Sequence, residues 1–231
     1  MGIKELMSLY VIADLHLSFG TDKPMDIFGG WEDYAQQIQK NWISKVDVCD
    51  TVVIPGDISW GMDLEEARPD FEFLDKLPGK KILLKGNHDY YFSTKNKIDK
   101  FFSENSFKSL NFLSNNSYEC GKYSICGTRG WVNEPGQAAD SKILKREAGR
   151  LKLSLDSAKK EPIVFLHYPP IFRGGETVEI LNVLREYKIK RVYYGHLHGR
   201  SCKYAAEGVV DGIYYKLISS DHLKFNLLKI F

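Results

Sequence analysis

TVVIPGD, at residues 51–57, combines the two features from which the fold can be predicted. An uninterrupted run of β-branched and aliphatic residues is typical of a strand that is buried on both faces. The run then ends at a glycine that is followed by an acidic residue, Asp57. The segment therefore predicts a central strand of a sheet, with a polar side chain directly at its carboxyl end.

The same pattern returns four more times along the chain. Each apolar run is short and ends in glycine, aspartate, asparagine or histidine: LYVIA (9–13) before DLH, KILLK (81–85) before GNHD, IVFL (163–166) before HYPP, and RVYY (191–194) before GHLHG. Segments with helical periodicity lie between these runs, at 31–46, 63–77, about 138–160 and 176–188. We expect Pro69 to break or restart the second of them. Strands that alternate with helices predict a layered α/β fold.

Two regions depart from this alternation. Residues 109–130 contain adjacent strand-like segments with turns at Asn115-Asn116 and Gly121. The tail beyond Gly199 has an Asp-Gly turn and alternating patterns without a helical period, so we expect it to complete a sheet as hairpins. The sequence has no internal repeat, low-complexity tract or linker, and we therefore predict a single domain over residues 1–231.

The composition is that of an ordinary globular protein, with 43% apolar and 27% charged residues. A formal net charge of +2 gives no reason to expect general binding to nucleic acid or to membranes. No apolar run approaches the length that is needed to span a bilayer. The four cysteines form no C-x-x-C pair and no secretory signal is recognisable, so we predict reduced thiols and a cytoplasmic location.

Side chains that can bind metals gather at the five predicted strand ends. They are Asp14, His16, Asp57, Asn87, His88, Asp89, His167, His196 and His198. Each of them alone could be a turn residue or a helix cap, but the carboxyl edge of an α/β sheet is where ligands bind, and all five clusters fall there. Imidazole, carboxylate and amide groups without sulfur suit Mn, Fe or Zn better than a cysteine-rich structural zinc site. The sequence therefore predicts a metal site at this edge.

The order of these motifs resembles that of the calcineurin-like metallophosphoesterase superfamily. The motifs are D-x-H (Asp14, His16), G-D (Gly56, Asp57), G-N-H-D (Gly86 to Asp89), a single histidine (His167) and G-H-x-H (Gly195 to His198). The resemblance runs from residue 14 to residue 198 and so covers most of the chain. It implies a four-layer sandwich of two mixed β-sheets flanked by α-helices.

The resemblance also implies a role for each residue of the motifs. Asp14, His16, Asp57 and His198 would bind a first metal ion, and Asp57, Asn87, His167 and His196 a second, with Asp57 shared. His88 would protonate the leaving oxygen or stabilise the phosphoryl charge, with Asp89 orienting its ring. The two ions, of Mn, Fe or Zn, would activate a bridging hydroxide for attack on phosphorus.

Substrate contacts are predicted from arginine and aromatic residues in loops. Arg129 and Arg173 could each hold a non-bridging phosphate oxygen, because a guanidinium group matches phosphate geometry. Trp60 stands where many family members carry a charged residue, and it could form an aromatic rim with three others, Tyr90, Tyr91 and Phe172.

These features favour a small phosphodiester or nucleotide as the substrate. A phosphoprotein or phosphomonoester phosphatase, a single-metal hydrolase and a metal-free protein-binding scaffold stay open as alternatives. The oligomeric state also stays open.

Overall fold

The computed structural model, which describes residues 7–131 and 140–231, contains two mixed sheets of five and six strands and a separate two-stranded sheet. In chain order the strands are β1 (Leu9–Val11), β2 (Thr51–Pro55), β3 (Lys80–Leu84), β4 (Leu110–Phe112), β5 (Tyr118–Cys120), β6 (Tyr123–Thr128), β7 (Glu161–Leu166), β8 (Ile171–Phe172), β9 (Gly175–Glu176), β10 (Arg191–Tyr194), β11 (Gly208–Val210), β12 (Ile213–Leu217) and β13 (Leu228–Lys229). The helices are α1 (Tyr34–Ile43), α2 (Arg68–Lys76), α3 (Lys95–Glu104), α4 (Ser141–Asp156) and α5 (Val178–Glu186), with a 3₁₀ helix at Gly199–Tyr204.

The topology brings the predicted polar motifs to one edge of the molecule. The first sheet has the order β13-β1-β2-β3-β4, and its strands are parallel except for β13. The second has the order β11-β12-β10-β7-β6-β5, with parallel central strands and an antiparallel strand at each edge. The sheets are joined where β1 and β12 end, since the N–H of Ala13 donates to the carbonyl of Ile218 at 2.8 Å.

Three apolar cores separate the layers and explain why the strand runs are continuously apolar. Leu9 and Val11 pack between the two sheets, whereas Tyr10 faces the opposite core, on the side of α1, α2 and α3. A third core lies between the second sheet and the helices α4 and α5. Successive side chains of a strand point to opposite faces, so both sets must be apolar. The predicted fold class, two mixed sheets flanked by helices, is confirmed, and the single-domain assignment stays a prediction.

The helices differ from the sequence-based prediction mainly at their ends. Pro69 is the second residue of α2, in the first turn, where its missing N–H costs nothing, so this helix begins at Arg68 and contains the proline. Gly149 does not interrupt α4, and residues 138–139 of the predicted segment lie outside the described residues. The helix α3 was not predicted. The side chain of Thr94 caps it, and it buries Ile98 and the pair Phe101–Phe102. No helix in the described residues combines the length and the apolar character needed to cross a membrane.

The tail agrees only in part with the expectation of terminal hairpins. Asp211 and Gly212 both have positive φ and join β11 to β12 in a two-residue turn, as the Asp-Gly pair predicts. The prediction is wrong for β13, which crosses to the first sheet and pairs antiparallel with β1. The N–H of Ile230 donates to the carbonyl of Leu9 at 2.8 Å, and this pairing covers a strand edge that would otherwise lack a partner.

Candidate metal centre

Two groups of buried or half-buried side chains meet where β1, β2, β7 and β10 end. The ligand atoms within each group lie within 4.8 Å of one another. The first group is Asp14, His16 and His198, and the second is Asp57, His167 and His196. Six of the seven side chains that the sequence proposed as ligands therefore lie in these groups, and Asn87 contacts the second.

Backbone hydrogen bonds between the loops after β1 and β2 hold the segments that carry Asp14, His16 and Asp57. The N–H of Asp14 donates to the carbonyl of Gly56 at 3.0 Å, and the N–H of His16 donates to the carbonyl of Asp57 at 2.9 Å. Asp14, His16, Asp57 and also His196 have positive φ, at 58°, 47°, 50° and 73°. Such backbone is unfavourable for residues other than glycine, and it clusters at functional sites where the surrounding structure holds it in place.

Two glycines of the motifs are needed because acidic side chains lie directly against them. A Cβ atom at Gly86 would collide with the carboxylate and the backbone nitrogen of Asp57. A Cβ atom at Gly195 would collide with the carboxylate of Asp14. The absence of a side chain at both positions therefore leaves the space that the two carboxylates occupy.

Two imidazole nitrogens face each other in the first group. Nε2 of His16 lies 3.4 Å from Nε2 of His198, and Nδ1 of His198 lies 2.9 Å from Oδ1 of Asp221. The Asp221 carboxylate holds a proton at Nδ1, so Nε2 is the atom left to bind a metal. Burial lowers the pKa of His198, but the bond to Asp221 and the Asp14 carboxylate outweigh this and raise it.

The second group contains two lone-pair acceptors at close range. Nδ1 of His167 lies 3.2 Å from the carbonyl of Pro55, a contact that requires the proton at Nδ1. Nε2 of His167 therefore carries a lone pair, yet it lies 2.6 Å from Oδ1 of Asn87. Nδ1 of His196 lies 3.0 Å from the same oxygen. Two imidazole nitrogens, an amide oxygen and the Asp57 carboxylate are ligand types that divalent transition metals bind, so the donor set fits a metal ion.

The pKa values of the buried side chains also favour the binding of a metal ion. Burial raises the pKa of Asp14 to about 8 and lowers the pKa values of His167 and His196 to about 3. The pKa of His16 also falls, through burial and the neighbouring histidines. These imidazoles are therefore neutral near pH 7, which is the form that binds metals. A cation would restore the charge of Asp14, since it stabilises the ionised carboxylate.

His88 and Asp89 lie close to the two groups, but the Asp89 carboxylate does not contact the ring of His88 as the family resemblance implies. The Asp89 carboxylate is fully buried and accepts hydrogen bonds from four backbone N–H groups, those of Asp57, Ile58, Ser59 and Gly86. The expectation that it orients the ring of His88 is therefore not met. Asp89 joins the loop after β2 to the loop after β3, and the His88 ring has the hydroxyl of Tyr90 3.4 Å from its Nδ1.

An apolar groove of about 660 Å³ borders the first group. Trp60 stacks on His16 with ring centroids 5.0 Å apart, and Trp31 lies edge-on to His16 and tilted against His198. Phe28 lines the groove as well. Of the aromatic residues proposed from the sequence, Trp60 and Tyr90 lie beside the site. Tyr91 instead packs against Phe71 in the core, and Phe172 lies against Tyr204.

The two arginines proposed as phosphate ligands lie elsewhere. The side chain of Arg129 lies over the ring of Trp131 and 3.8 Å from the carboxylate of Glu147, in a separate pocket. The guanidinium of Arg173 lies over the rings of Phe172 and Tyr204. In the described residues neither guanidinium contacts the two metal-binding groups, because both are held by these other partners.

Asp221 and Trp31 are residues of the site that the sequence-based prediction missed. Asp221 follows β12 in the segment SSDH, within the tail for which the sequence predicts only terminal hairpins. An acid shortly after an apolar strand is the pattern that identified Asp14 and Asp57, and Asp221 comes four residues after the end of β12, so the pattern at IYYKLISSD could have suggested it. Trp31 lies outside every motif, and only the folded chain brings it to His16.

Comparison with known proteins gives one family and several structures of similar fold. The family model described as calcineurin-like phosphoesterase matches residues 7–200. A protein of unknown function from Aquifex aeolicus is 16% identical, with a TM-score of 0.53 over 96% of this chain and 95% of that one. A protein from Thermus thermophilus is 9% identical, with a TM-score of 0.63 over 97% of this chain and 98% of that one.

A third similar structure is the phosphopantetheinyl hydrolase of Mycobacterium tuberculosis, which is 14% identical. Its TM-score is 0.56 over 94% of this chain and 90% of that one. At these identities the structures show a shared fold. The comparison with curated protein sequences gives no match.

The bond from Asp221 to His198 predicts a measurable effect on metal binding. We expect Asp221→Ala to weaken the binding of one metal ion roughly 10- to 100-fold, because the acceptor that orients His198 and raises its basicity is lost. Titration of the protein with Mn²⁺ or Zn²⁺ against a competing chelator measures this. Asp99→Ala, on the exposed face of α3, is the matched control, and equal affinities in the two variants would contradict the assignment.

Proposed function

The chain belongs to the calcineurin-like phosphoesterase family, and on that premise we propose that it hydrolyses small phosphodiesters or nucleotide-type substrates at a centre of two metal ions. Membership makes the chain a metal-dependent phosphoester hydrolase. The proposal adds the number of metal ions, the residues that act and the class of substrate.

The observation that carries the proposal is the position of the Asp57 carboxylate. Its Oδ2 lies 3.8 Å from Nε2 of His16 in the first group and 3.5 Å from Nε2 of His167 in the second. Its Oδ1 accepts the N–H of His88 at 2.8 Å, which fixes the orientation of the carboxylate. One oxygen that faces both groups suits a carboxylate shared by two ions. We assign Asp14, His16, Asp57 and His198 to one ion and Asp57, Asn87, His167 and His196 to the other.

His88 is the residue that we assign to the leaving group. Metal ions bound at the two groups would supply positive charge to the phosphoryl oxygens and lower the pKa of water. As the oxygen of water bonds to phosphorus and the bond to the leaving oxygen breaks, the leaving oxygen must gain a proton. The ring of His88 lies 4.5 Å from that of Trp60 and 5.6 Å from that of His16, between the groove and the first group. This position supports its assignment as the proton donor.

The groove favours a leaving group with an apolar or planar aromatic part. Trp31, Trp60 and Phe28 present ring faces and edges beside His88 and His198, and flat rings such as nucleobases stack on such walls. The side chain of a phosphoserine or phosphothreonine would leave these aromatic residues without contact, so a phosphoprotein substrate is less favoured. A small phosphodiester or a nucleotide uses both the metal centre and the groove.

A cytoplasmic location belongs to the same proposal. All four cysteines lie in the described part of the chain and none of them forms a disulfide there. This is the pattern of a protein that works in a reducing compartment.

Removal of the shared carboxylate tests the two-metal proposal. We expect about two ions per wild-type chain, and at most one per chain in Asp57→Asn, because each group loses a ligand. Replacement of a residue that only contacts a metal ligand lowers activity by up to roughly 100-fold, and we expect the loss of a ligand itself to lower activity by more than that. Elemental analysis of the purified proteins and a chromogenic diester assay give both quantities, with Asp99→Asn as the control. One ion in the wild type would favour a single-metal hydrolase, and none would favour a metal-free scaffold.

Replacement of His88 tests its role as a proton donor. We expect His88→Ala to retain both metal ions and to lose roughly 10²- to 10⁴-fold in kcat for an alkyl leaving group, which needs the proton. The loss should be much smaller for nitrophenolate, which leaves without one. His222→Ala removes a histidine that is paired with Glu207 instead, and its kcat should not change. An equal loss for both leaving groups would rule out proton donation by His88.

Phe28 provides a test of the groove that leaves the ligands untouched. Phe28 and Phe19 are 53% and 52% exposed, but of the two only Phe28 lines the groove. We expect Phe28→Ala to raise KM for aryl or nucleoside esters roughly 2- to 10-fold, as lost aromatic contacts of about 0.5–1.5 kcal/mol imply. KM for a methyl ester and all constants of Phe19→Ala should match the wild type. The same KM change for the methyl ester would contradict an aromatic subsite.

A further inference from the structure

A second pocket, smaller and basic, lies at the same edge of the two sheets. It has a volume of about 240 Å³ and lies between the ends of β3, β4 and β6, the start of α3 and the side of α4. Its charged lining consists of Lys85, Lys95, Arg129 and Arg150. The metal-binding side chains do not line it, and the proposed hydrolysis does not use it.

The positive charge of this pocket is only partly balanced within the described residues. Lys95 is paired with Asp99 in the next turn of α3. Arg129 and Arg150 share Glu147, which is fully buried. The cavity is therefore bordered by three further positive charges, of Lys85, Arg129 and Arg150, and by one negative charge, of Glu147. The net charge beside it is +2.

Glu147 cannot balance the remaining charge, because both of its oxygens already have donors. Oε2 accepts the hydroxyl of Thr128 at 2.7 Å and Oε1 accepts Arg150 at 2.8 Å. The Arg129 contact to Oε1 is longer, at 3.8 Å, and Nε of Arg129 is buried without a hydrogen-bond partner in the described part of the chain. Buried donors without acceptors are costly, and a bound anion would supply the acceptors.

Lys85 and the start of α3 add to the same preference. The Lys85 ammonium lies 3.5 Å from the carbonyl of Phe92 and over its ring, and it forms no ion pair with a described carboxylate. Thr94 and Lys95, where α3 begins, line the pocket, and the first turn of a helix carries a partial positive charge. Three cationic side chains, two at strand ends and one on α4, therefore line the same small cavity as the first turn of α3.

From this convergence we propose that the pocket formed by Lys85, Arg129, Arg150 and the start of α3 is a binding site for a phosphate group. Two guanidinium groups and an ammonium give the forked and point-charge donors that a phosphate accepts. The site adjoins the metal centre through the backbone, because the carbonyl of Arg129 accepts the N–H of His167 at 3.1 Å. The phosphate is either a second phosphate of the substrate or free inorganic phosphate.

Calorimetric titration of the metal-loaded protein with inorganic phosphate, at constant ionic strength, tests the site. We expect two phosphates per wild-type chain, one at the metal centre and one in the pocket. Arg129→Gln and Arg150→Gln should each weaken the second at least tenfold, since each removes a charged donor. Arg146→Gln is the control, because Arg146 is exposed on the same helix α4 and does not line the pocket.

A variant that conserves the charge provides a test that does not depend on the folding of Arg129→Gln. Arg150→Lys retains the charge, so it should bind phosphate more tightly than Arg150→Gln even if Arg129→Gln fails to fold. Equal phosphate stoichiometry and affinity in the wild type and all pocket variants would overturn the proposal, because phosphate would then bind at the metal centre alone.

Kinetics with two substrates identifies the source of the phosphate. If the substrate supplies it, KM of a substrate with a second phosphate rises in Arg150→Gln, while KM of a single-phosphate diester does not. If free phosphate is the ligand, both KM values stay at the wild-type level and only the titration changes. A chain that binds phosphate in the pocket but hydrolyses no phosphoester would refute the proposed function and leave this site standing.

Discussion

The burial of acidic side chains next to neutral imidazoles is the constraint on which the rest of this structure depends. Asp14 and Asp57 are almost completely removed from water, and burial raises the pKa values of both carboxyl groups. No lysine or arginine is paired with either of them in the described residues. Charges in such a place are stable only beside a cation, so the site is built for ions that the chain itself does not provide.

Backbone hydrogen bonds link the loops that carry these acidic side chains. Asp89 does not make the expected contact with His88. Its carboxylate instead accepts three backbone N–H groups from the loop after β2, which join that loop to its own, and a fourth from Gly86 within its own loop. Its own pKa rises to about 7, mainly through burial and partly through the nearby Asp57. The left-handed backbone at Asp14, His16 and Asp57 is strained. The Asp89 carboxylate holds the backbone N–H of Asp57, and the carbonyls of Gly56 and Asp57 hold the N–H groups of Asp14 and His16.

The sequence alone predicts those parts of the structure that depend on residues close together in the chain. The run TVVIP predicts its strand because a strand between two cores must be apolar on both faces, and β2 has the predicted bounds. The motif residues could be placed because parallel strands end at one edge. The partners of Asp89, the position of Trp31 and the crossing of β13 could not, because each depends on segments far apart in the chain. The resemblance to a family had the same limit, since it assigned Asp89 to the ring of His88.

The two pockets beside the metal centre differ in chemical character, since one is apolar and the other is basic. The apolar groove borders His16 and His198 of the first group, whereas Arg129 of the basic pocket is bonded through its backbone to His167 of the second. A substrate that spans the centre would therefore meet ring faces on one side and fixed positive charge on the other. Since His88 lies on the side of the groove, the apolar part would be the one that leaves. The first group follows β1 and β10, and Lys85 and Arg129 follow β3 and β6, so strand order accounts for these residues. His88 follows β3 as Lys85 does but lines the groove, so the loop after β3 contributes to both sides.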